Sequence, residues 1–170
     1  MASFSGFLAS IGRALFGTKR SRVAVERSEP GRTGAGATLE VDPRSVGRLR
    51  MSYSPRRNGS PDPGEIVWTW VPYTERDGRG KDRPVLIVAA EASGSLLAVQ
   101  LTSKDHDGDQ RDFVHLGTGP WDAQGRPSWV NIERVFRVLP QGMRREAAAL
   151  DSARFRTVAD ALRRRYGWGS

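Results

Sequence analysis

The sequence predicts a mainly β domain of the α+β class, in which a small curled sheet or barrel carries one C-terminal amphipathic helix after a largely disordered extension. Two observations predict this fold. Short apolar runs separated by turn residues follow one another from Gly64 onward, as is typical of strands in a curled sheet. The last apolar pattern, in residues 151–166, has the spacing of a helix instead.

The strands are predicted from alternation and from continuous apolar runs. In residues 66–71, Ile, Trp and Trp alternate with Val, Thr and Val, and Pro72 ends the run. The loop TERDGRGKD follows, and the apolar residues 84–90 then indicate a strand buried on both faces. Three more strands are predicted for residues 95–102, 111–117 and 128–140, the last with a helical turn or bulge near Glu133.

The C-terminal helix is the clearest local pattern in the chain. Asp151 is a suitable N-cap and Gly167 a suitable stop, because Asp accepts a hydrogen bond from the first turn and Gly adopts the left-handed conformation. Its predicted buried stripe consists of Phe155, Val158, Ala159, Leu162 and Tyr166. We therefore expect one face of this helix to pack on the sheet.

The N-terminal part divides into two segments ahead of a domain predicted for residues 64–167. Residues 1–17 have apolar side chains at helical spacing but are interrupted by Gly6 and Gly12, and they are too short to span a bilayer. Contact with a membrane surface through this segment and a frayed terminus both stay open. Residues 18–63, rich in Arg, Ser, Gly and Pro, are predicted to form a flexible basic linker, in which residues 38–41 could still pair with a sheet.

Composition limits the chemistry that the domain can use. The net charge is +8, but residues 1–60 hold eleven Lys and Arg against four Asp and Glu, whereas the remainder holds sixteen against fifteen. The basic character therefore belongs to the N-terminal third. The sequence has no Cys and two His, which excludes a thiolate nucleophile, disulfides and a three-histidine metal site, and it suits a reducing, cytoplasmic location. We expect no metal and no cofactor.

The order of motifs carries a resemblance. Gly64-Glu65-Ile66-Val67-Trp68 is followed by a polar loop and Arg83-Pro84-Val85-Leu86-Ile87-Val88. A later strand ends in Leu101-Thr102-Ser103, and Val130-Asn131-Ile132-Glu133-Arg134-Val135 precedes the helix. From about Gly64 to Tyr166 this order resembles the PemK/MazF family of type II toxin–antitoxin toxins. The resemblance implies an SH3-like barrel, a homodimer and a metal-independent endoribonuclease that cleaves single-stranded RNA.

By this resemblance, Arg83 and Thr102 occupy the two catalytic positions. Cleavage without a metal can use the neighbouring 2′-hydroxyl as nucleophile, which leaves a cyclic phosphate and a 5′-hydroxyl and requires RNA rather than DNA. The charge that develops on phosphorus needs preorganised donors. Arg83 would act as an electrostatic clamp because a guanidinium stays protonated, and Thr102 would orient a phosphate oxygen or the 2′-hydroxyl.

The resemblance also implies contacts and partners. RNA contacts are predicted at two places. The loop that precedes Arg83 provides Arg76, Arg79 and Lys81, and the residues after Thr102 provide Ser103 and Lys104. The implied partners are single-stranded RNA, a cognate antitoxin that blocks the RNA groove, and DNA bound by the toxin–antitoxin complex. The family often has Gly-Ser-Glu-Gln in this loop, whereas this chain has Thr74-Glu75-Arg76-Asp77-Gly78, so no cleavage sequence is carried over.

Other interpretations of these residues stay open at this point. Arg83 could pair with Asp82, and Thr102 could simply cap a turn. His106 and His115 could form an acid–base pair, and Asp105, Asp107 and Asp109 alternate as in a calcium loop but lack its later ligands.

Two further alternatives concern the tryptophans and the function as a whole. Packing in the core is favoured for Trp68 and Trp70, whereas Trp121 and Trp129 are the better candidates for a groove. The alternative to an enzyme is a non-catalytic module that binds nucleic acid or protein, aided by the basic tail.

Overall fold

The structure is a computed structural model that describes residues 29–169. Within these residues, seven strands and one helix follow in chain order: β1 (Leu39–Val41), β2 (Glu65–Pro72), β3 (Gly80–Ala90), β4 (Leu96–Thr102), β5 (Phe113–Gly117), β6 (Ser128–Val138), β7 (Met143–Ala149) and α1 (Ser152–Tyr166). Two short 3-10 turns lie at Gly34–Gly36 and Pro140–Gly142. The predicted mainly β fold with one C-terminal helix is confirmed.

The strands form one curled antiparallel sheet in the order β1-β6-β4-β3-β2-β7, and β5 also pairs with β6. β5 and β1 share the same strand partner, since β5 pairs with residues 128–131 of β6 and β1 with residues 135–137. Between these two parts β6 bends: it advances five residues, from Val130 to Val135, while β4 advances two, from Leu101 to Val99. The predicted irregularity near Glu133 is confirmed, and the Asn131 side chain accepts hydrogen bonds there from the backbone N–H groups of Glu133 and Arg134.

The sheet buries apolar side chains on both faces. One cluster lies between the sheet and α1 and contains residues such as Leu86, Val99 and Leu162. The second lies on the opposite face of the sheet and includes Val85, Ile87 and Phe136. Each such large side chain contributes roughly 1.5–3 kcal/mol when fully buried. Polar residues at the ends of the same strands are therefore fixed in position by the core.

Helix α1 follows its predicted pattern closely. The Asp151 carboxylate accepts a hydrogen bond from the backbone N–H of Arg154 at 2.9 Å, and Gly167 ends the helix in the left-handed conformation at φ 68°. Of the predicted stripe, four residues are buried and Tyr166 is half-buried. The Tyr166 hydroxyl donates to the carbonyl of Ile132 at 2.8 Å, which ties the helix to the bend in β6.

The predicted flexible linker over residues 18–63 is wrong for much of its described part. Residues 39–41 form β1, while Leu49 and Met51 are buried in the core. The Tyr53 hydroxyl donates to the carbonyl of Leu150 at 2.7 Å. These residues order because they dock on a surface that later strands and α1 create. The folded domain thus begins well before Gly64, whereas the predicted segment 1–17 lies outside the described residues.

Two strand predictions also need correction. β3 begins at Gly80, so the loop after β2 is shorter than the predicted TERDGRGKD, and Gly80, Lys81 and Asp82 pair with the end of β2. β7 was not predicted at all; it pairs with β2 along Met143–Ala149. Within residues 29–169, no helix has the length and apolar character that crossing a bilayer requires.

Candidate nucleic-acid groove

The structure brings Arg83 and Thr102 to neighbouring positions on two paired strands. In the β3–β4 pair, Val85 lies opposite Gln100 and Leu86 opposite Val99. Continuing this register by two residues places Arg83 opposite Thr102 at the end of β4. Both side chains line one groove with a volume of about 520 Å³, called the first groove here.

The first groove lies between the strand ends and the loop before β6. On the strand side it is lined by Trp68, Pro84 and Leu101, together with the polar Lys81 and Ser103. The opposite wall is formed by residues 120–124, 126 and 128. Side-chain hydrogen bonds stabilise this wall; for example, Trp121 Nε1 donates to Ser128 Oγ at 3.1 Å, and Arg126 Nε donates to Asp122 Oδ2 at 2.9 Å.

Arg83 carries a positive charge that no described carboxylate neutralises. Among the side chains that the structure describes, none makes an ion pair or hydrogen bond with its guanidinium, although the residue is only partly exposed. The suggested pair with Asp82 is wrong, because Asp82 is bound by Arg144 from β7. The carboxylate next to Arg83 along the chain is therefore already paired, and Arg83 is available to an anion.

Thr102 ends β4 with its hydroxyl held in place. Its Oγ1 accepts a hydrogen bond from the backbone N–H of Lys104 at 3.1 Å, the local pattern that often ends a strand in a turn. This interaction uses the oxygen as acceptor and leaves the hydroxyl proton to donate. A preorganised O–H donor thus lines the same groove as Arg83.

A second groove, of about 470 Å³, adjoins the first at Arg83. The loop after β2 forms one side, through residues 72–75 and Arg79, and Gln100 and Arg134 form the other. Arg79 Nε donates to Asp77 Oδ2 at 2.7 Å. Hydrogen bonding from the Arg79 backbone and side chain lowers the pKa of Asp77, and the same pairing raises the pKa of Arg79.

The predicted RNA contacts divide according to these grooves. Lys81 and Ser103 line the first groove and Arg79 lines the second. Arg76 lines neither, and its Nε lies 3.8 Å from a carboxylate oxygen of Glu40. Lys104 is exposed and also lies outside both linings.

The tryptophans differ from their predicted positions in two cases. Trp70 is buried as expected, but Trp68 is only half-buried and lines the first groove. Trp121 lines the groove as predicted, whereas Trp129 is buried and donates its indole N–H to Asp107 at 3.1 Å. Strand alternation predicts both rings on one face of β2. Trp70 lies in the buried part of that face, whereas Trp68 lies where the face meets the groove.

The two histidines are not part of either groove. His106 stacks on Phe113 with 3.5 Å between ring centroids, and His115 lies against Trp129 at 5.1 Å. Among the described residues, no group of three or more His, Asp or Glu side chains is arranged to hold a metal ion. The Asp105 carboxylate instead accepts the backbone N–H of Asp107, so it shapes its own loop.

Sequence reasoning missed Gln100 and Arg134 as groove residues. Gln100 precedes Thr102 by two residues on β4, so strand alternation alone would have placed it on the same face. No local signal marks Arg134, which reaches the second groove only because β6 bends just before it.

Comparison with known proteins identifies a family. The sequence model of the family described as PemK-like, MazF-like toxin of type II toxin–antitoxin system matches residues 62–165. No curated protein matches the sequence.

Several solved structures are similar to this chain. An endoribonuclease in complex with its cognate antitoxin, from a Mycobacterial species, is 17% identical with a TM-score of 0.51, and the match covers 65% of this chain and 99% of that one. A MazE–MazF complex from Deinococcus radiodurans is 20% identical, with a TM-score of 0.48 and coverage of 65% and 98%. The Mycobacterium tuberculosis toxin MazF-mt6 is 15% identical, with a TM-score of 0.45 and coverage of 62% and 99%.

Proposed function

This chain belongs to the PemK-like, MazF-like toxins of type II toxin–antitoxin systems, and on that basis we propose that it is an endoribonuclease that cleaves single-stranded RNA without a metal ion. The observation that carries the proposal is the position of Arg83 and Thr102. Continuation of the β3–β4 register puts them opposite each other, in a groove where no described carboxylate neutralises the charge of Arg83. This combination suits a phosphodiester.

In the proposed reaction, the 2′-oxygen of the RNA forms a bond to the adjacent phosphorus, and the bond from phosphorus to the 5′-oxygen breaks. The 2′-hydroxyl loses its proton and the departing 5′-oxygen gains one, so the products are a cyclic phosphate and a 5′-hydroxyl. Negative charge accumulates on the non-bridging oxygens during this exchange. Arg83 stabilises that charge, and the Thr102 hydroxyl donates a hydrogen bond to one of these oxygens.

We expect the first groove to bind a single strand rather than a duplex. Trp68 is half-buried and lines its strand side, and aromatic side chains in such grooves stack with unpaired bases. Stacking contributes about 1–3 kcal/mol per base in single-strand binding. Lys81, which is exposed and lines the same groove, adds attraction for the phosphate backbone.

Cleavage of a mixed-sequence RNA in the presence of a chelator tests the proposal. Arg83→Ala and Thr102→Ala are each expected to slow cleavage ~100-fold or more, the usual effect of removing one preorganised donor from a developing oxyanion. Thr102→Ser should keep most of the activity because it keeps the hydroxyl. Arg164→Ala is the matched control, since this arginine is exposed on α1 and lies outside both grooves.

Full activity in both alanine variants would refute the assignment of these residues. Salt-sensitive RNA binding by the wild-type protein without any cleavage would favour the non-catalytic alternative. Detection of the cyclic phosphate and the 5′-hydroxyl on the products checks the chemistry independently of rates.

We further propose that the protein acts as a homodimer in the cytoplasm and that a cognate antitoxin inhibits it by covering the first groove. The similar Mycobacterial structure contains an endoribonuclease with its cognate antitoxin, which supports the proposal of an antitoxin partner. The proposed toxin–antitoxin complex, rather than the toxin alone, would bind DNA. Co-purification with the protein encoded by a neighbouring small gene, followed by loss of RNA binding, tests the antitoxin. Sedimentation of the free toxin tests the dimer.

A further inference from the structure

We propose that residues 29–41 stabilise the lining of the second groove. In this proposal Glu40 is a positioning residue, which fixes Arg134 and the 73–79 loop beside Arg83. Its effect on RNA cleavage rests on the proposed function, whereas its effect on the loop does not. These residues lie outside the family match to residues 62–165, so this support is an addition to the family's domain. Three observations carry the inference.

The first observation is how closely the segment is seated. Thr38 Oγ1 and Thr69 Oγ1 form a hydrogen bond at 2.9 Å, and Thr69 Oγ1 donates to the carbonyl of Gly142 at 2.8 Å. Both threonines are buried. A Cβ atom on Gly31 would lie 2.5 Å from Thr69 Oγ1 and 2.7 Å from the Gly142 carbonyl oxygen, so the backbone approaches closer than any other residue would allow. The segment therefore occupies a specific position between β2 and the turn before β7.

The second observation is the contact between Glu40 and Arg134. Glu40 lies on β1 opposite Phe136 of β6, and its two oxygens accept from Arg134 Nε at 3.0 Å and from Nη2 at 2.8 Å. The same Nη2 donates to the carbonyl of Pro72 at 2.9 Å. Only 11% of the Arg134 side chain and 18% of the Glu40 side chain are exposed. Hydrogen bonding from Arg134 lowers the pKa of Glu40, so this carboxyl is ionised at neutral pH.

The third observation links this pair to the loop. Pro72 is the last residue of β2, so the bond from Arg134 holds the strand end from which the loop starts. Arg76, in the middle of the loop, has an unusual left-handed backbone with φ 53° and directs its guanidinium towards Glu40 at 3.8 Å. The Tyr73 N–H bonds to the Arg79 carbonyl at 3.0 Å and closes the loop. Glu40 thus contacts the middle of the loop directly and its start through Arg134.

Loss of the Glu40 charge would release these contacts together. Arg134 would keep its positive charge without its carboxylate, in a position that lines the second groove near Arg83. The loop would lose its support at the same time. Since both changes affect the position of the bound strand rather than the donors at the phosphorus, we expect them to act mainly on KM.

The test compares Glu40→Gln with Glu29→Gln in the full chain. Glu29 is the matched control because it lies in the same segment but is exposed and pairs only with Arg32 at 3.9 Å in the described structure. With a mixed-sequence RNA, Glu40→Gln should raise KM about tenfold or more while kcat changes less than about threefold, and it should alter the distribution of cut sites. Glu29→Gln should behave like the wild-type protein. If Glu40→Gln does not fold, Glu40→Asp, which keeps the negative charge, is measured in its place.

A second readout is independent of RNA cleavage. Hydrogen exchange of the Tyr73 amide should be about tenfold faster in Glu40→Gln than in Glu29→Gln, because the loop opens more often. Unchanged exchange, or identical KM and cut sites in the two variants, would overturn the positioning role. If Arg83→Ala leaves cleavage intact but Glu40→Gln still loosens the loop, the proposed function fails and the positioning role stands.

Discussion

Replacing Arg144 by Ala is expected to slow RNA cleavage, although Arg144 does not line the first groove. Arg144 binds the carboxylate of Asp82, which does line it and precedes Arg83 in the chain. Without Arg144, an unpaired negative charge stays beside the site proposed for the scissile phosphate. That charge repels the phosphate and competes for Arg83.

The size of this effect follows from Coulomb's law. For a separation of about 8 Å between the Asp82 carboxylate and the phosphate, the repulsion is about 0.5 kcal/mol at the dielectric constant of water and about 2 kcal/mol at an effective value of ~20. Arg144 is 48% exposed but Asp82 only 15%, so we expect a value between these limits. Arg144→Ala should therefore lower kcat/KM by roughly 2- to 30-fold.

Initial rates on a short RNA at two salt concentrations provide the assay. The deficit should shrink between 0.1 M and 1 M salt, because the screening length falls from about 10 Å to about 3 Å. Asp82→Asn in the Arg144→Ala background should restore the rate by removing the uncompensated charge. Arg50→Ala, an exposed arginine outside both grooves, controls for the loss of net charge. A deficit that persists at high salt or in the double variant would refute the electrostatic reasoning.

Two further predictions concern stability. Gly31→Ala should reduce the free energy of unfolding by about 1–3 kcal/mol more than Gly34→Ala, because both glycines have positive φ but only Gly31 has atoms within 4 Å of the added methyl group. Urea unfolding measures the difference, and equal losses in the two variants would show that crowding at Gly31 is unimportant. In the folded protein, hydrogen bonding from Arg137 lowers the pKa of Glu91 below its ordinary value of 4.5. The wild-type protein should therefore be more stable than Glu91→Gln, by the full difference above pH 4.5, and this difference should fall as the pH drops towards the lowered pKa. Urea unfolding between pH 3 and pH 7 checks the second prediction, and an advantage independent of pH would contradict it.

The sequence was sufficient for features that depend on local patterns. The alternation of β2, the apolar run of β3 and the stripe of α1 all reflect burial against one core, and burial imposes its period on the chain. Arg83 and Thr102 were found as candidates because each adjoins such a strand. Their position opposite one another then follows from the strand register.

The features that sequence reasoning missed depend on distant partners. The segment MRREAAA has the composition of a helix, yet β7 forms because β2 offers it a strand edge. Leu49 and Met51 stand singly among polar residues, so no window of sequence marks them as core. Glu40 and Arg134 are 94 residues apart, and only the folded sheet brings them together.

The contacts of the N-terminal segment have a consequence for the order in which the protein folds. During synthesis this segment is made long before its partners: the Tyr53 hydroxyl bonds to the carbonyl of Leu150, 97 residues later, and the Pro43 carbonyl accepts from the indole N–H of Trp168, 125 residues later. Contacts across such distances form slowly because closing a long loop costs entropy. The segment is therefore seated only after later parts of the chain have been made, and the second groove gains the support of Glu40 only once β6, which carries Arg134, has been made.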